Sequence, residues 1–173
     1  EATTGVWTYS MLTQSRGVPV AEAGTWGTAF WGGLMLGRFL FGFVAEGAPL
    51  AVLLLASLAA IALGASLLAL DSGALASAVG LVLCGLAMAP IFPSLIATTP
   101  ARVGLRQTAN TVGMQIAGAT LGASLVPAAT GVIVGRLGLE VVAPVILAGT
   151  LALALLHELL ARLRDVPSAQ PIG

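Results

Sequence analysis

The chain has 173 residues, of which 58% are hydrophobic and only 8% are charged. Soluble domains carry roughly a quarter charged residues, so this composition excludes an ordinary soluble enzyme and a disordered chain. All seven basic residues are arginines and seven acids balance them, which leaves no basic face for a nucleic acid. The single cysteine, Cys84, cannot form an internal disulfide. The composition predicts an integral membrane protein.

Long runs without charge predict how the chain crosses the bilayer. They cover residues 47–70, 72–101, 107–135 and 141–157. A hydrocarbon core about 30 Å thick needs ~20 apolar residues in helical form. A further span fits Ala23 to Ala45, interrupted only by Arg38. Residues 1–14 predict part of another helix, which as given is too short to span the bilayer. We therefore expect five full spans and one incomplete helix.

We therefore predict an all-α membrane bundle over residues 1–165 and a flexible tail over 166–173. The expected helices cover residues 1–14, 22–46, 49–70, 73–98, 107–135 and 140–163. A β-barrel is a poor alternative because Leu50 to Leu70 is apolar on every face, whereas barrel strands alternate. The polar stretch from Thr98 to Gln107 predicts a loop.

The arginines predict the orientation of the bundle. With the C-terminus in the cytoplasm, the inner side holds five arginines and the outer side holds two. The inner residues are Arg38, Arg102, Arg106, Arg162 and Arg164, and the outer ones are Arg16 and Arg136. Cytoplasmic segments carry an excess of arginine and lysine, so this orientation is the expected one.

Glycine and proline indicate how the helices pack. Pairs of glycines four residues apart occur at Gly33 and Gly37, at Gly118 and Gly122, and at Gly131 and Gly135. Small residues let membrane helices approach closely, so each pair predicts either a fixed helix crossing or a surface that slides. Prolines inside the apolar runs predict bends. They are Pro90, Pro93, Pro127 and Pro144.

Polar and aromatic residues at membrane depth are the candidates for function. Glu1 shares a helical face with Thr4 and Thr8, and it is either an intramembrane functional carboxylate or a chain end. Arg38 either contacts a solute or has a structural role near the cytoplasmic end. Phe30 and Trp31 either stack on a solute or mark a membrane interface. Asn110, Thr111 and Gln115 serve either contact between helices or hydrogen bonding to a solute.

Catalytic signatures are absent from the sequence. The single histidine, His157, has no second histidine to complete a zinc pair. The sequence contains no nucleophile elbow, no P-loop and no dinucleotide fingerprint. We therefore expect no enzyme activity, no metal and no cofactor.

Several motifs in order resemble one known family. Three of them resemble the second half of the major facilitator superfamily transporters, in the fucose-permease-like branch. They are the stretch Glu1-x-x-x-Gly5-x-Trp7, the run Phe30-Trp31-Gly32-Gly33 and the motif Gly37-Arg38-x-x-x-Gly42. Ala89-Pro90-Ile91-Phe92-Pro93 looks like the tenth helix of that family. The stretch from Asn110 to Gln115, with Gly122, Pro127 and Gly131, is similar to the eleventh.

The resemblance implies helices seven to twelve of a twelve-helix secondary transporter, with the N-terminal six-helix half as partner. Such carriers work by alternating access. The implied cargo is a small polar solute, a sugar with protons, although the proton-coupling carboxylates of the branch lie in the other half. The alternative is a membrane subunit that does not transport but packs against a partner bundle. The implied location is a bacterial cytoplasmic membrane.

The resemblance also assigns roles to residues. It implies that six residues lie near the solute, namely Glu1, Trp7, Phe30, Phe92, Asn110 and Gln115. It implies gating or structural roles for six others, namely Gly37, Arg38, Pro90, Pro93, Gly118 and Gly122.

Overall fold

The computed structural model describes residues 1–44, 49–70 and 73–164. Every secondary-structure element in this described part is helical. The α-helices are α1 (Ala2–Ser10), α2 (Val20–Val44), α3 (Leu50–Ala69), α4 (Ala74–Met88), α5 (Ile91–Ala97), α6 (Thr99–Val103), α7 (Leu105–Leu137) and α8 (Val142–Arg164). A π-helical turn, Met11–Ser15, extends α1, and a 3₁₀ turn, Leu139–Val141, precedes α8. The expected all-α bundle is confirmed over these ranges.

Four helical segments of the described chain are long and apolar enough to cross a membrane. They are Ala51–Ala69, Ala74–Val103, Leu105–Leu137 and Leu139–Leu160. The expected span from Ala23 to Ala45 is not among them. Helix α2 has 25 residues and contains Glu22 and Arg38, and residue 45 at the end of the expected span lies outside the described residues. The described residues thus contain four such spans, which by length and composition indicate an integral membrane protein.

Helix α4 lies between α2 and α3, and α3 also packs against α8. Helix α1 contacts α2, α7 and α8. The buried core joins these helices through large side chains such as Phe30, Ile61, Leu68 and Leu81. Helix α7 is mostly exposed, because only 11% of its most apolar stretch is buried within the described chain.

Glycines bring α4 close to both of its neighbours. A Cβ on Gly37 would lie 2.6 Å from the carbonyl oxygen of Leu86, and one on Gly85 would collide with that of Phe30. On the other side, a Cβ on Gly64 would meet the carbonyl oxygen of Gly80 at 2.7 Å. The crossing expected at Gly33 and Gly37 is therefore present, between α2 and α4.

The glycines of α7 behave differently. A Cβ added to Gly118, Gly122 or Gly135 would meet nothing within 4 Å, whereas one on Gly131 would strike the ring of Trp7. The close crossing expected at Gly118 and Gly122 is thus not formed by the described chain.

Two expected boundaries are wrong. The stretch from Thr98 to Gln107 is not a loop, because α6 and the start of α7 fill it except at the turn residue Thr98 and at Gly104, which has φ +77°. The helix expected over 73–98 is broken at Pro90, which has no N–H to continue α4. Residues 45, 46 and 166–173, to which a helix end and a tail were assigned, lie outside the described residues.

Candidate functional site

Two adjoining clefts meet at the start of α1. The first, of about 560 Å³, lies between α1, α2, α5 and α7. The second, of about 530 Å³, lies between α1, α3, α5 and α8. Four residues line both clefts, namely Glu1, Thr3, Phe92 and Val126. Each volume falls within the range of small-molecule sites.

An ion pair marks the wall of the first cleft. The Nη2 atom of Arg38 lies 3.7 Å from Oε2 of Glu1, and the two side chains are 52% and 40% exposed. This distance exceeds that of a hydrogen bond, so the pair is loose. An exposed pair of this kind contributes little stability, and both groups can therefore reach another molecule in the cleft.

Two threonine hydroxyl groups of the walls donate their protons within their own helices. The hydroxyl of Thr120 in the first cleft donates to the carbonyl oxygen of Ile116 at 2.9 Å. The hydroxyl of Thr150 in the second cleft donates to Ile146 at 2.8 Å. The buried hydroxyl of Thr4 has no hydrogen-bond partner in the described structure. The first cleft thus combines the Glu1 carboxylate with the Arg38 guanidinium, and the second cleft adds the unpaired hydroxyl of Thr4.

Three of the residues implied to contact solute line neither of the two clefts. Trp7 donates its indole N–H to the carbonyl oxygen of Pro127 at 2.9 Å and packs on Gly131, so it joins α1 to α7. Phe30 is 1% exposed and lies in the core. Gln115 accepts a hydrogen bond from Thr99 at 3.0 Å, which joins α7 to α6.

Asn110 is exposed and lines neither of the two clefts. It lies ten residues before Thr120 on α7, or about 15 Å along the helix axis. Of the six residues implied to contact solute, the structure therefore brings together only Glu1 and Phe92.

The residues implied to have gating or structural roles also lie in different parts of the fold. Arg38 and Gly122 line the first cleft. Gly37 packs on α4, while Pro90 separates α4 from α5 and Pro93 lies within α5. Gly118 faces open space.

The sequence analysis missed a polar cluster at the opposite end of α1, the Arg16 cluster. The guanidinium of Arg16 is 5% exposed and donates to the carboxylate of Glu140, to Oγ of Ser77 at 3.0 Å and to the carbonyl oxygen of Leu68 at 2.8 Å. Ser15 adds a hydrogen bond to Glu140 at 2.7 Å. The sequence did carry a signal, since Arg16 and Arg136 are both expected on the outer side and Glu140 follows Arg136 by four residues.

No family model, no curated protein and no solved structure matches the chain. The function has to be argued from the clefts and their chemistry.

Proposed function

We propose that the chain is the C-terminal half of a secondary active transporter, and that a small polar solute passes through the first cleft by alternating access. The observation that carries this proposal is the loose Glu1–Arg38 pair in a cleft beside the long apolar helix α7. Charged residues within membrane segments are costly and generally mark solute or ion pathways.

The depth of the pair supports a role inside the membrane. From Glu1 to Ser15 the chain is helical, so Glu1 lies about 21 Å along the helix axis from the end that carries the Arg16 cluster. A hydrocarbon core is about 30 Å thick. If the Arg16 cluster lies at one membrane surface, Glu1 and Arg38 lie within the bilayer and need water, a partner or a solute.

The exposed surface of α7 supports the need for a partner bundle. Helix α7 carries an open run of small residues around Gly118 and Gly122, and such surfaces suit close contact between membrane helices. An N-terminal six-helix half packed there would close the first cleft on its open side. A sugar as solute and protons as coupling ion rest on the family resemblance.

The same surface also favours a second candidate, a membrane subunit that does not transport. In that case the partner bundle would cover α7 permanently and seal the clefts. The two functions differ in whether water reaches the first cleft, and from which side of the membrane.

Labelling of introduced cysteines tests this difference. Thr120→Cys places a thiol on the wall of the first cleft, and Leu63→Cys places one on α3, where Leu63 is exposed and lines neither cleft. We expect a charged, membrane-impermeant maleimide to label Thr120→Cys in both right-side-out and inside-out vesicles that carry the complete protein. Leu63→Cys in contact with lipid should resist labelling, and the unmodified chain is the blank because Cys84 is buried.

Two results would decide against a carrier. Labelling of Thr120→Cys from one side alone indicates a static cleft and favours the subunit. Absence of labelling from both sides indicates that the cleft is sealed and excludes a solute pathway through it.

A further inference from the structure

We infer that the solute of the two clefts is an α-amino acid with an apolar side chain. It binds as a zwitterion, so that its ammonium group pairs with Glu1 and its carboxylate pairs with Arg38. This inference rests on the proposed function, because it names the solute class of the same site. It differs from the sugar that the family resemblance implies.

The first argument is that the cleft walls carry both signs of charge. Glu1 and Arg38 both line the first cleft, and they form an ion pair with each other. A solute with a single charge would pair with one of them and leave the other without its partner. An uncompensated charge is costly within the bilayer, whereas a zwitterion gives each of the two groups a partner of opposite charge.

The second argument is the spacing of the two charges. The Nη2 atom of Arg38 lies 3.7 Å from Oε2 of Glu1. In an α-amino acid the ammonium nitrogen and the nearer carboxylate oxygen lie about 3 Å apart, because only two carbon atoms separate them. The two charges of the solute can therefore lie beside those of the pair and form short charge-assisted hydrogen bonds to both. An amino acid with its charges at opposite ends of a chain does not match this spacing.

The third argument is the apolar surface beside the ion pair. Glu1 also lines the second cleft, whose other walls are largely hydrocarbon and aromatic, with residues such as Ile61, Met88, Ile146 and Leu153. A sugar placed there would leave hydroxyl groups without partners, and each unpaired polar group is costly to bury. An apolar side chain that extends from the zwitterion into the second cleft gains free energy from the same surface.

A buried hydroxyl adds to the polar end of the site. Thr4 lies three residues after Glu1 in the helical start of the chain, so the two residues share one face of α1. Thr4 lines the second cleft, and its hydroxyl has no hydrogen-bond partner in the described structure. A hydroxyl both donates and accepts, so it suits the ammonium group and the carboxylate equally.

The test measures binding of radiolabelled L-leucine to the complete protein in lipid nanodiscs, with three analogues as competitors. The first, 3-methylbutylammonium, lacks the carboxylate, and the second, 4-methylpentanoate, lacks the ammonium group. The third, 6-aminohexanoate, has both charges but at the two ends of a chain. We expect each analogue to compete about tenfold or more weakly than unlabelled leucine. Competition by any of them as strong as that of leucine overturns the inference.

Two variants separate the roles of the charges. Glu1→Gln removes the partner of the ammonium group and frees Arg38, so leucine should bind about tenfold or more weakly and radiolabelled 4-methylpentanoate more tightly. Arg38→Gln should weaken leucine binding to the same extent and strengthen binding of radiolabelled 3-methylbutylammonium. A variant that merely misfolds cannot bind either analogue more tightly. Loss of leucine binding without either gain would therefore overturn the assignment of the two charges.

Glu158→Gln is the matched control. Glu158 also forms an ion pair with an exposed arginine, Arg162 at 2.9 Å, but it lines neither cleft. We expect this variant to bind leucine as the unmodified protein does, and a tenfold loss would mean that the effect of Glu1→Gln is not specific to the site.

Failure of this inference and failure of the proposed function give different results. Glucose that binds in a Glu1-dependent way while leucine does not overturns the solute class and leaves the carrier standing. Absence of leucine binding in a protein whose Thr120→Cys variant is labelled from both sides has the same meaning. Absence of labelling from both sides overturns the proposed function and this inference with it.

Discussion

At the scale of single residues, the same kind of ion pair has two different consequences. Arg16 is 5% exposed and reaches Glu140, Ser77 and the end of α3. Arg38 is half exposed and reaches Glu1 at 3.7 Å. A buried guanidinium that loses its partners leaves uncompensated polar groups, whereas an exposed pair contributes little. The first therefore stabilises the bundle, and the second remains free for a ligand.

Replacement of Arg16 by glutamine should destabilise the bundle. The substitution removes the donors to Glu140 and to the carbonyl of Leu68, at a cost of about 2 kcal/mol. In a chain of this size we expect the Tm in detergent to fall by roughly 4–8 °C. Arg136→Gln is the control, since Arg136 is exposed at the end of α7 nearest the 3₁₀ turn, and it should leave the Tm almost unchanged. Equal Tm values for the two variants would show that the Arg16 cluster does not hold the helix ends together.

At the scale of helices, glycine determines which pairs approach closely. Helix α4 contacts α2 and α3 through Gly85, Gly37, Gly64 and Gly80. Because lipid is as apolar as leucine, membrane helices gain little from apolar contact alone and depend on such close packing. Helix α7 has its own glycines, but most of them contact nothing in the described chain.

Two alanine substitutions should therefore have opposite effects. Gly85→Ala forces a Cβ against the carbonyl oxygen of Phe30, and the strain should cost about 1–3 kcal/mol. Gly118→Ala meets nothing within 4 Å and gains the higher helix propensity of alanine. Thermal melts in one detergent should show a lower Tm for Gly85→Ala and an equal or higher Tm for Gly118→Ala. A lower Tm for Gly118→Ala alone would mean that α7 packs where the structure leaves it open.

At the scale of the whole molecule, the helices differ in how much of their surface the rest of the described chain covers. Helix α4 is enclosed by α2 and α3, while α7 presents most of its surface outward. The two clefts share Glu1, and the 33 residues of α7 extend about 50 Å. A second bundle packed along α7 would cover the small residues and complete the first cleft.

A bulky side chain at Gly118 tests for that second bundle. Because a Cβ there meets nothing within the described chain, Gly118→Leu should leave the Tm of this chain unchanged. In the complete protein the same change should prevent close packing of the partner bundle, which would lower its Tm and abolish uptake. Leu121→Ala provides the control, since it removes bulk from an exposed position on α7. Unchanged stability and uptake of the complete protein would show that nothing packs on Gly118.

The candidate site was predicted only in part, and particular residues show why. Glu1 and Phe92 line both clefts, and their contact with a solute stays a prediction. Phe30 and Trp7 carry the same apolar and aromatic character, yet one is buried in the core and the other is bonded to Pro127. Aromatic side chains serve packing and binding equally well, so residue type alone does not separate the two roles.

The helical class and the membrane location follow from local physics, and the sequence is sufficient for both. A helix satisfies its own backbone within one segment, so the apolar runs near 49–70 and 107–135 predict α3 and α7 within a few residues. The contacts that define the site depend on residues far apart in the chain. Trp7 meets Pro127 across 120 positions and Arg16 meets Glu140 across 124. Such pairs form only when the bundle closes, because the packing of small residues between helices sets which side chains meet.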